Sequence, residues 1–166
     1  MPQAGVIDGY VFAIDGYVFA QTGESITGRL ALAELPRLAD SGCRSAEVSF
    51  SIVGGMNARG KPSLIVRASG QVQMTCQRCL EPVAEPIDVD SELELSADEV
   101  EIATAEDDVD RVLASEAMNV ARLVEDEILL ALPMVPKHES CGVHSGDRPG
   151  GQRSPFAGLA ALKKDR

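Results

Sequence analysis

Two cysteines three positions apart, Cys76 and Cys79, lie at the end of an apolar, β-rich run in the segment MTCQRCLEPV. Cysteines at this spacing serve metal binding or dithiol redox chemistry, or they are simply two buried thiols. A redox pair works best when its first cysteine begins a helix, because the helix dipole lowers the pKa of the thiol. Pro82 and the alternating pattern after it argue against a helix here, so redox catalysis is disfavoured.

A metal site is the second interpretation, since a structural zinc ion takes about four nitrogen or sulfur ligands. The segment KHESCGVH supplies the nearby candidates His138, Cys141 and His144. A zinc site and a pair of plain thiols both remain open. Cys43, which stands alone, is expected to be a small, half-buried side chain. The candidate metal ligands are three cysteines and one histidine: Cys76, Cys79, His138 and Cys141.

Other catalytic patterns are missing from the sequence. It contains no Gly-rich phosphate loop, no His-Glu-x-x-His and no Gly-x-Ser-x-Gly. The two histidines both lie beside the candidate metal ligands, so a nucleophile and base pair is hard to assemble. The acids of the segment VEDEI, residues 124–128, are predicted to be a solvated helix face. We therefore expect a protein that is not an enzyme.

Length and composition predict one domain with loose ends. The chain has 166 residues, of which 45% are hydrophobic, and no apolar run long enough to span a bilayer. The N-terminus lacks the basic and apolar regions of a signal peptide, so a soluble chain in the reducing cytoplasm is expected, without disulfides. The predicted units are an N-terminal extension or duplicated segment at 1–13, an α+β domain at 14–140, and a flexible basic tail at 141–166 with a short apolar segment.

Period-two alternation predicts a mostly antiparallel meander. A helix is expected at 120–132, with Asn119 as its N-cap and Pro133 and Pro136 after its end. The fold class is therefore α+β, a predominantly antiparallel sheet or partial barrel packed by one main helix. The expected strands are 25–32, 46–53, 63–75 and 82–95, with a short helical connector at 33–39 and a flexible acidic loop at 96–110.

A tandem repeat, IDGYVFA at 7–13 and again at 14–20, stands near the N-terminus. Seven is an odd period, so in one continuous strand the two copies would present opposite faces and would not be equivalent. We expect one copy to be the native strand and the other to be a local duplication or an extended start.

Charge is distributed unevenly along the chain, whose net charge is −11. Of its 26 acidic residues, 13 lie at 81–110, where there is no Lys or Arg, so the remainder carries 15 basic and 13 acidic residues. Residues 29–79 hold seven basic and three acidic residues, and 137–166 hold six and three. Affinity for a phosphate backbone comes mainly from Lys and Arg, so an RNA would have to meet these two basic regions. Otherwise the charge runs are solvated surface.

Four segments together resemble a known family. CQRCLEPV at 76–83, LVEDEILLALPMVPKHE at 123–139 and SPFAGLAALK at 154–163 occur in this order, with an acidic stretch between the first two. GRLALAELPRL at 28–38 is a weaker match. They resemble the YceD-like large ribosomal RNA subunit accumulation proteins, from about residue 14 to residue 164. Some members have a Cys-rich, zinc-like segment after the helix, of which this chain keeps His138 and Cys141.

The resemblance implies a role in accumulation or processing of large-subunit ribosomal RNA in bacteria and plastids, where the family's genes often neighbour one for a large-subunit ribosomal protein. It implies no catalytic residue. The expected function is a non-enzymatic factor that binds precursor RNA or a pre-ribosomal particle, with zinc as a candidate cofactor and no membrane partner. The alternative is an adaptor whose acidic segment holds a basic ribosomal protein. The residues predicted to contact RNA are Arg67, Arg78, Lys163 and Lys164.

Overall fold

Apolar and polar side chains alternate along the long strands of this chain. The computed structural model describes residues 6–8 and 13–141. Every second residue of the long strands faces the core, while Ser, Arg and Asp residues on the other side face solvent. The strands are β1 (Val6–Asp8), β2 (Ala13–Ile14), β3 (Ser25–Ala31), β4 (Ser45–Met56), β5 (Pro62–Thr75), β6 (Pro82–Ser96), β7 (Arg111–Leu113) and β8 (Met118–Asn119).

Four helices accompany these strands within the described residues. They are α1 (Gly16–Thr22), α2 (Pro36–Asp40), α3 (Glu99–Thr104) and α4 (Val120–Ala131), with a single 3-10 turn at Leu32–Glu34 before α2. The predicted main helix is thus confirmed. Asn119 caps it as expected, because its side-chain oxygen accepts a hydrogen bond from the Arg122 backbone N–H at 2.9 Å. None of the helices in this part of the chain is long and apolar enough to cross a bilayer.

The large sheet is open and six-stranded, in the order β1-β3-β4-β5-β6-β7. Neighbours from β3 to β6 are antiparallel, whereas β1 and β7 add parallel to the two edges. β2 and β8 form a separate antiparallel pair. The predicted α+β class with a mostly antiparallel sheet is therefore confirmed, and the sheet does not close into a barrel.

The helices α1 and α4 pack on one face of the sheet. The other face is exposed to solvent and is called the wet face below. α1 contacts β4 and β5, and α4 contacts β5 and β6. On the wet face, cross-strand neighbours such as Ser51, Arg67 and Asp90 form polar rows. The core between sheet and helices is apolar; its fully buried large side chains include Leu35, Leu38, Val48, Ile52, Leu64, Val66, Val72, Val124 and Ile128.

The second copy of the tandem repeat folds mainly as helix α1, so this copy is not the expected native strand. The Asp15 carboxylate caps α1 by accepting from the Val18 N–H at 3.0 Å, and Gly23, at φ +66°, ends it in the left-handed conformation. Burial of Phe19 and Ala20 holds the helix on the sheet. Of the first copy, only residues 7, 8 and 13 lie within the described residues.

The acidic segment 96–110 was expected to be an unstructured loop, and this was wrong. It contains α3, whose N-cap Asp98 accepts a hydrogen bond from the Val100 N–H at 2.8 Å. Glu99 and Glu101 lie in the first turn, where the helix dipole favours negative charge. Ser96 donates a hydrogen bond to Glu101 at 2.6 Å and so joins the helix to the end of β6. The residues called a flexible tail lie outside the described residues, apart from Cys141.

The strand predicted at 46–53 extends to Met56. Within this extension, Gly54 lets α1 approach β4 closely. A Cβ atom at Gly54 would overlap the Phe19 carbonyl, lying only 2.7 Å from its carbon. A Cβ atom at Gly55 would meet no atom of the described chain within 4 Å. The packing of α1 on β4 therefore requires glycine at position 54, whereas position 55 has room for a larger residue.

Gly54→Ala should destabilise the fold, whereas Gly55→Ala should be nearly neutral. The added methyl group of Gly54→Ala must push α1 away from β4, and overpacking of this kind costs about 1–3 kcal/mol. Gly55→Ala is the matched control, with an expected change within about 0.5 kcal/mol. Urea unfolding of both variants measures the difference. Equal losses would show that α1 does not pack against Gly54.

Candidate functional site

The Cys-x-x-Cys segment forms the tip of the β5–β6 hairpin. Thr75 and Pro82 are its last paired residues, and residues 76–81 make the turn between them. The Cys76 backbone N–H donates to the Glu81 carbonyl and the Leu80 N–H donates to the Cys76 carbonyl, each at 2.9 Å. Leu80 has a φ of +65°, a left-handed conformation that is unusual for a residue other than glycine. The turn curls both thiols to one side of the tip.

The segment that follows α4 runs back to this tip. The Gln77 N–H donates to the Pro136 carbonyl at 2.9 Å, which holds the segment beside the turn. The imidazole of His138 then places its Nε2 atom 3.0 Å from the Pro82 carbonyl oxygen. An Nε2–H donor to that carbonyl leaves Nδ1 as the free acceptor, and Nδ1 lies 3.4 Å from Cys79 Sγ.

All four side chains predicted as ligands lie together. Their donor atoms, three sulfurs and one imidazole nitrogen, lie within 4.8 Å of one another. Cys76 Sγ is 3.8 Å from Cys141 Sγ, and none of these cysteines is in a disulfide. In a tetrahedral zinc site with Zn–S bonds of about 2.3 Å and a Zn–N bond of about 2.0 Å, sulfur–sulfur separations would be about 3.8 Å and sulfur–nitrogen separations about 3.5 Å. The donor set and its spacing fit a metal ion.

Electrostatics favour a thiolate at Cys76 and oppose one at Cys79. The Cys79 backbone N–H, helped by that of Arg78, lowers the pKa of the buried Cys76 thiol to about 5. The Glu81 backbone N–H acts to lower the pKa of Cys79, but burial and the neighbouring cysteines outweigh it and raise that pKa. The Arg78 guanidinium donates through Nε to the sulfur of Cys141. Three thiolates around a divalent metal carry a net charge of about −1, which one arginine can balance.

This cluster falls within the part of the chain that known proteins share. A family described as large ribosomal RNA subunit accumulation protein YceD matches residues 64–163, which include all four candidate ligands. The chain belongs to the YceD family. A YceD relative from Haemophilus influenzae, also named large ribosomal RNA subunit accumulation protein, is 31% identical over 160 residues, covering 82% of this chain and 86% of the relative. No solved structure matches the chain.

Of the residues predicted to contact RNA, Arg67 and Arg78 lie within the described part of this YceD-family chain, in the strand and at the tip of the β5–β6 hairpin respectively. Arg67 lies on the wet face of β5, and its Nε is 3.1 Å from the Asp90 carboxylate in an exposed ion pair. Arg78 is exposed at the hairpin tip beside Cys141. Lys163 and Lys164 lie outside the described residues. The structure therefore brings the candidate metal ligands together, whereas the nucleic-acid contacts remain predictions.

One group that sequence reasoning missed is the buried carboxylate of Glu94. It accepts hydrogen bonds from Asn57 at 2.8 Å, from Arg111 at 3.2 Å and from Arg59. Both arginines also bind Asp107, so this network holds the acidic segment against the β4–β5 turn. No sequence signal distinguishes Glu94 from the solvated acids before it, because it continues their alternation along β6.

The acids at 124–128 were predicted to be a solvated helix face, and for two of them this was wrong. Glu125 and Glu127 are both buried. Glu125 accepts hydrogen bonds from the Leu38 backbone N–H and from Arg37 Nε, each at 3.0 Å. Asp126, which is half-buried, pairs with the same arginine. These carboxylates join α4 to α2, a long-range contact that helical periodicity does not reveal.

Acid should weaken the Glu94 network. Burial acts to raise the pKa of Glu94, but Asn57, Arg59 and Arg111 outweigh it and hold that pKa below its ordinary value. Arg111, followed by Arg59, holds the pKa of Asp107 well below its usual range. A carboxylate with a depressed folded-state pKa stabilises the fold above its unfolded pKa of about 4, and this stability is lost as pH falls through the folded pKa.

Glu94→Gln should therefore lower the free energy of unfolding at pH 7 by about 1–3 kcal/mol, because a buried arginine loses a charged partner. It should also flatten the fall in stability between pH 5 and pH 3. Urea titrations across that range measure both effects. Glu47→Gln, at an exposed carboxylate with no side-chain hydrogen bond in the described region, is the control. A Glu94→Gln profile parallel to the wild-type profile would contradict the assignment.

Proposed function

We propose that this chain is a non-enzymatic factor for accumulation and processing of large-subunit ribosomal RNA, and that it acts in ribosome assembly by binding precursor RNA or the pre-ribosomal particle. Family membership carries the proposal, since the YceD family and the Haemophilus relative are both named for large ribosomal RNA subunit accumulation. A binding role is also supported by the cluster of Cys76, Cys79, His138 and Cys141. As ligands of one metal ion, its four protein donors would complete a tetrahedral site and leave no open position for a substrate.

The metal in this proposal is zinc, held by the same four residues. Thiolate and imidazole donors in a closed set of four are typical of structural zinc sites. Such an ion would join the tip of the β5–β6 hairpin to the segment after α4. Among the described residues these are also connected by the backbone hydrogen bond from Gln77 to Pro136 and by side-chain contacts of Arg78 and His138. The role of the ion would be structural: it would hold the exposed side chains of this end, among them Arg78, Leu80 and Lys137, in one arrangement.

In the proposal, RNA phosphates are met by Arg67 and Arg78 together with Lys163 and Lys164. The ion pair between Arg67 and Asp90 is exposed on both sides, and such pairs contribute only about 0–1 kcal/mol. A phosphate can therefore replace Asp90 as the partner at little cost. Arg78 is exposed, and only its Nε donates to Cys141 of the candidate metal site, so its remaining exposed donors can face a phosphate.

The second candidate function is an adaptor that holds a basic ribosomal protein and does not touch RNA. One observation favours it: in the described part of the chain, Arg37, Arg59, Arg67 and Arg111 are all ion-paired with acids. Asp88, Asp90 and Glu92 are meanwhile exposed on the wet face of β6. A basic protein surface is complementary to that acidic row.

Protein purified without chelator or metal resin should contain about one zinc per chain. Cys79→Ser should lose the metal, while Cys43→Ser should keep it, because Cys43 is buried elsewhere and donates to the Ser45 carbonyl. Removing zinc should lower the free energy of unfolding by about 3 kcal/mol or more, as expected for a ligand bound well above its Kd. Elemental analysis and urea unfolding test this. Metal-free protein of undiminished stability, with Cys79→Ser folding equally well, would contradict the zinc site. Cys76 and Cys79 would then be two plain thiols.

Wild-type protein should sediment with large-subunit precursor particles in gradients. Neutralising Arg67, Arg78, Lys163 and Lys164 to Gln should weaken binding to precursor RNA and reduce the slope of log affinity against log salt by about 3 to 4, at about 0.7 to 0.9 per phosphate contact. The control neutralises Arg122, an exposed arginine of α4 that lies outside both basic regions and makes no ion pair within the described residues.

Three outcomes separate the candidates, provided that the variants keep their metal content. Weaker RNA binding only in the first variant supports direct contact. Unchanged sedimentation with no crosslinked RNA in either variant supports the adaptor. A wild-type chain that runs only as free protein, with normal ribosomal RNA after deletion of its gene, would refute the proposed function.

A further inference from the structure

Strand β6 is covered by a neighbouring strand along only part of its outer side. Its pairing with β5 runs without a break from Pro82 to Glu94, whereas β7 pairs only with residues 94–96. Among the described residues, no strand lies on the outer side of β6 from residue 82 to residue 93. A sheet edge of this kind presents backbone N–H and C=O groups that can pair with another chain.

Hydrogen bonds at the β7 end decide which backbone groups of β6 point outward, away from β5. The Glu94 N–H donates to the Asp110 carbonyl at 2.9 Å, and the Ser96 carbonyl accepts from the Ala114 N–H at 2.8 Å. These partners lie directly before and after β7. Backbone groups of successive residues point to opposite sides of a strand, and the pairing with β5 contains no bulge. Every even-numbered residue of β6 therefore points its N–H and C=O groups outward.

Three successive outward positions, Asp88, Asp90 and Glu92, have both a backbone donor and a backbone acceptor. All three residues are exposed, and within the described chain neither β7 nor a loop forms a backbone hydrogen bond with them. Pro82 and Pro86 also stand at outward positions, where the missing N–H of proline costs the sheet no hydrogen bond. The edge that is open to an added strand is therefore residues 88–92.

The side chains of the same three residues form an acidic row on the wet face. Asp90 pairs with Arg67, whereas Asp88 and Glu92 make no ion pair within the described residues. A second copy of this edge would place acids opposite acids, which is destabilising, and the row also repels RNA phosphates. Lys or Arg at every second position of an added strand would instead lie opposite the acids. The charge of the edge therefore selects a basic segment.

We propose that the open edge of β6 binds an extended segment of a basic partner protein, which adds as an antiparallel strand beside residues 88–92 and carries Lys or Arg at alternate positions. Backbone hydrogen bonds hold the segment, and the acids of β6 select its charge. In antiparallel pairing each outward residue exchanges both hydrogen bonds with the residue opposite it. The net charge of −11 attracts basic proteins at long range. The inference rests on the second candidate function, which it deepens by stating how a basic protein is held.

The probe is a fluorescein-labelled seven-residue peptide in which four valines alternate with three lysines. One matched peptide carries methyl groups on the backbone nitrogens of its lysines, which would face β6, and another carries them on the backbone nitrogens of its inner valines, which would face away. Methylation at lysine should weaken binding to the full chain about tenfold or more, because three hydrogen bonds are lost. Methylation at valine should change the affinity less than about threefold. A peptide with Gln in place of Lys should bind more weakly than the probe.

Two substitutions at one position separate the charge of the edge from its backbone. Asp88→Asn should weaken peptide binding about two- to fivefold, as expected for one opposite-charge cross-strand pair. Asp88→Pro removes the same charge and also the outward N–H, so it should weaken binding about tenfold. Glu47→Gln, at an exposed acid of β4, is the control and should change the affinity less than about twofold. Urea unfolding checks that both Asp88 variants are folded.

Hydrogen exchange locates the bound peptide. In the free protein the outward amides of Asp88, Asp90 and Glu92 should exchange faster than those of Ile87 and Val89, which point towards β5. Bound peptide should slow the three outward amides. Equal binding of the probe and its lysine-methylated form, equal effects of Asp88→Asn and Glu47→Gln, or outward amides that the peptide leaves unprotected would overturn the proposal.

Other occupants of the edge would overturn the proposal as well. Outward amides that already exchange slowly in the free full chain would show that another part of the chain, or a second copy, covers the edge. A short RNA that slows the same amides would assign the edge to nucleic acid. A chain that binds the peptide at this edge but does not sediment with precursor particles would refute the proposed function and support the edge as a peptide site, so the two failures are distinguishable.

Discussion

The apolar contact between the β5–β6 hairpin and α4 positions the four candidate metal ligands. Leu64 and Val66 on β5 and Leu93 on β6 belong to the same buried cluster as Val124 and Ile128 of the helix. Because that contact sets where α4 ends, the segment after it passes the hairpin tip. Two cysteines on the tip and a histidine and cysteine from the passing segment then meet without any other element between them.

Several charged residues stabilise the fold and are therefore not free to bind a partner. Glu94 and Glu125 are carboxylates in a strongly acidic chain, yet each is buried against arginines from distant segments and holds a loop or helix in place. Such ionic contacts specify one arrangement of α2, α4 and the acidic segment. What is left for recognition is therefore a smaller set of groups: the exposed acids of β6 and the exposed basic residues Arg78 and Lys137 near the candidate metal site.

Local patterns in the sequence predicted the four central strands, α4 and its Asn119 cap, because alternation, helical spacing and capping act over a few residues. The ligand set was also predictable, since Cys and His types beside element ends are few in this chain. The helix α1 was not, because burial of Phe19 overrode the β propensity of its aromatic residues. The partners of Glu94 lie 37, 35 and 17 positions away, beyond the reach of any local pattern.

We propose that one zinc ion joins the hairpin tip to the segment after α4. X-ray absorption at the zinc edge, on protein purified without chelator, tests this most directly because it reports the donor atoms and their distances. A site with these four ligands should show three sulfur neighbours at about 2.3 Å and one nitrogen neighbour at about 2.0 Å. A shell of oxygen and nitrogen alone, or fewer than three sulfur neighbours, would contradict a site made by Cys76, Cys79, His138 and Cys141.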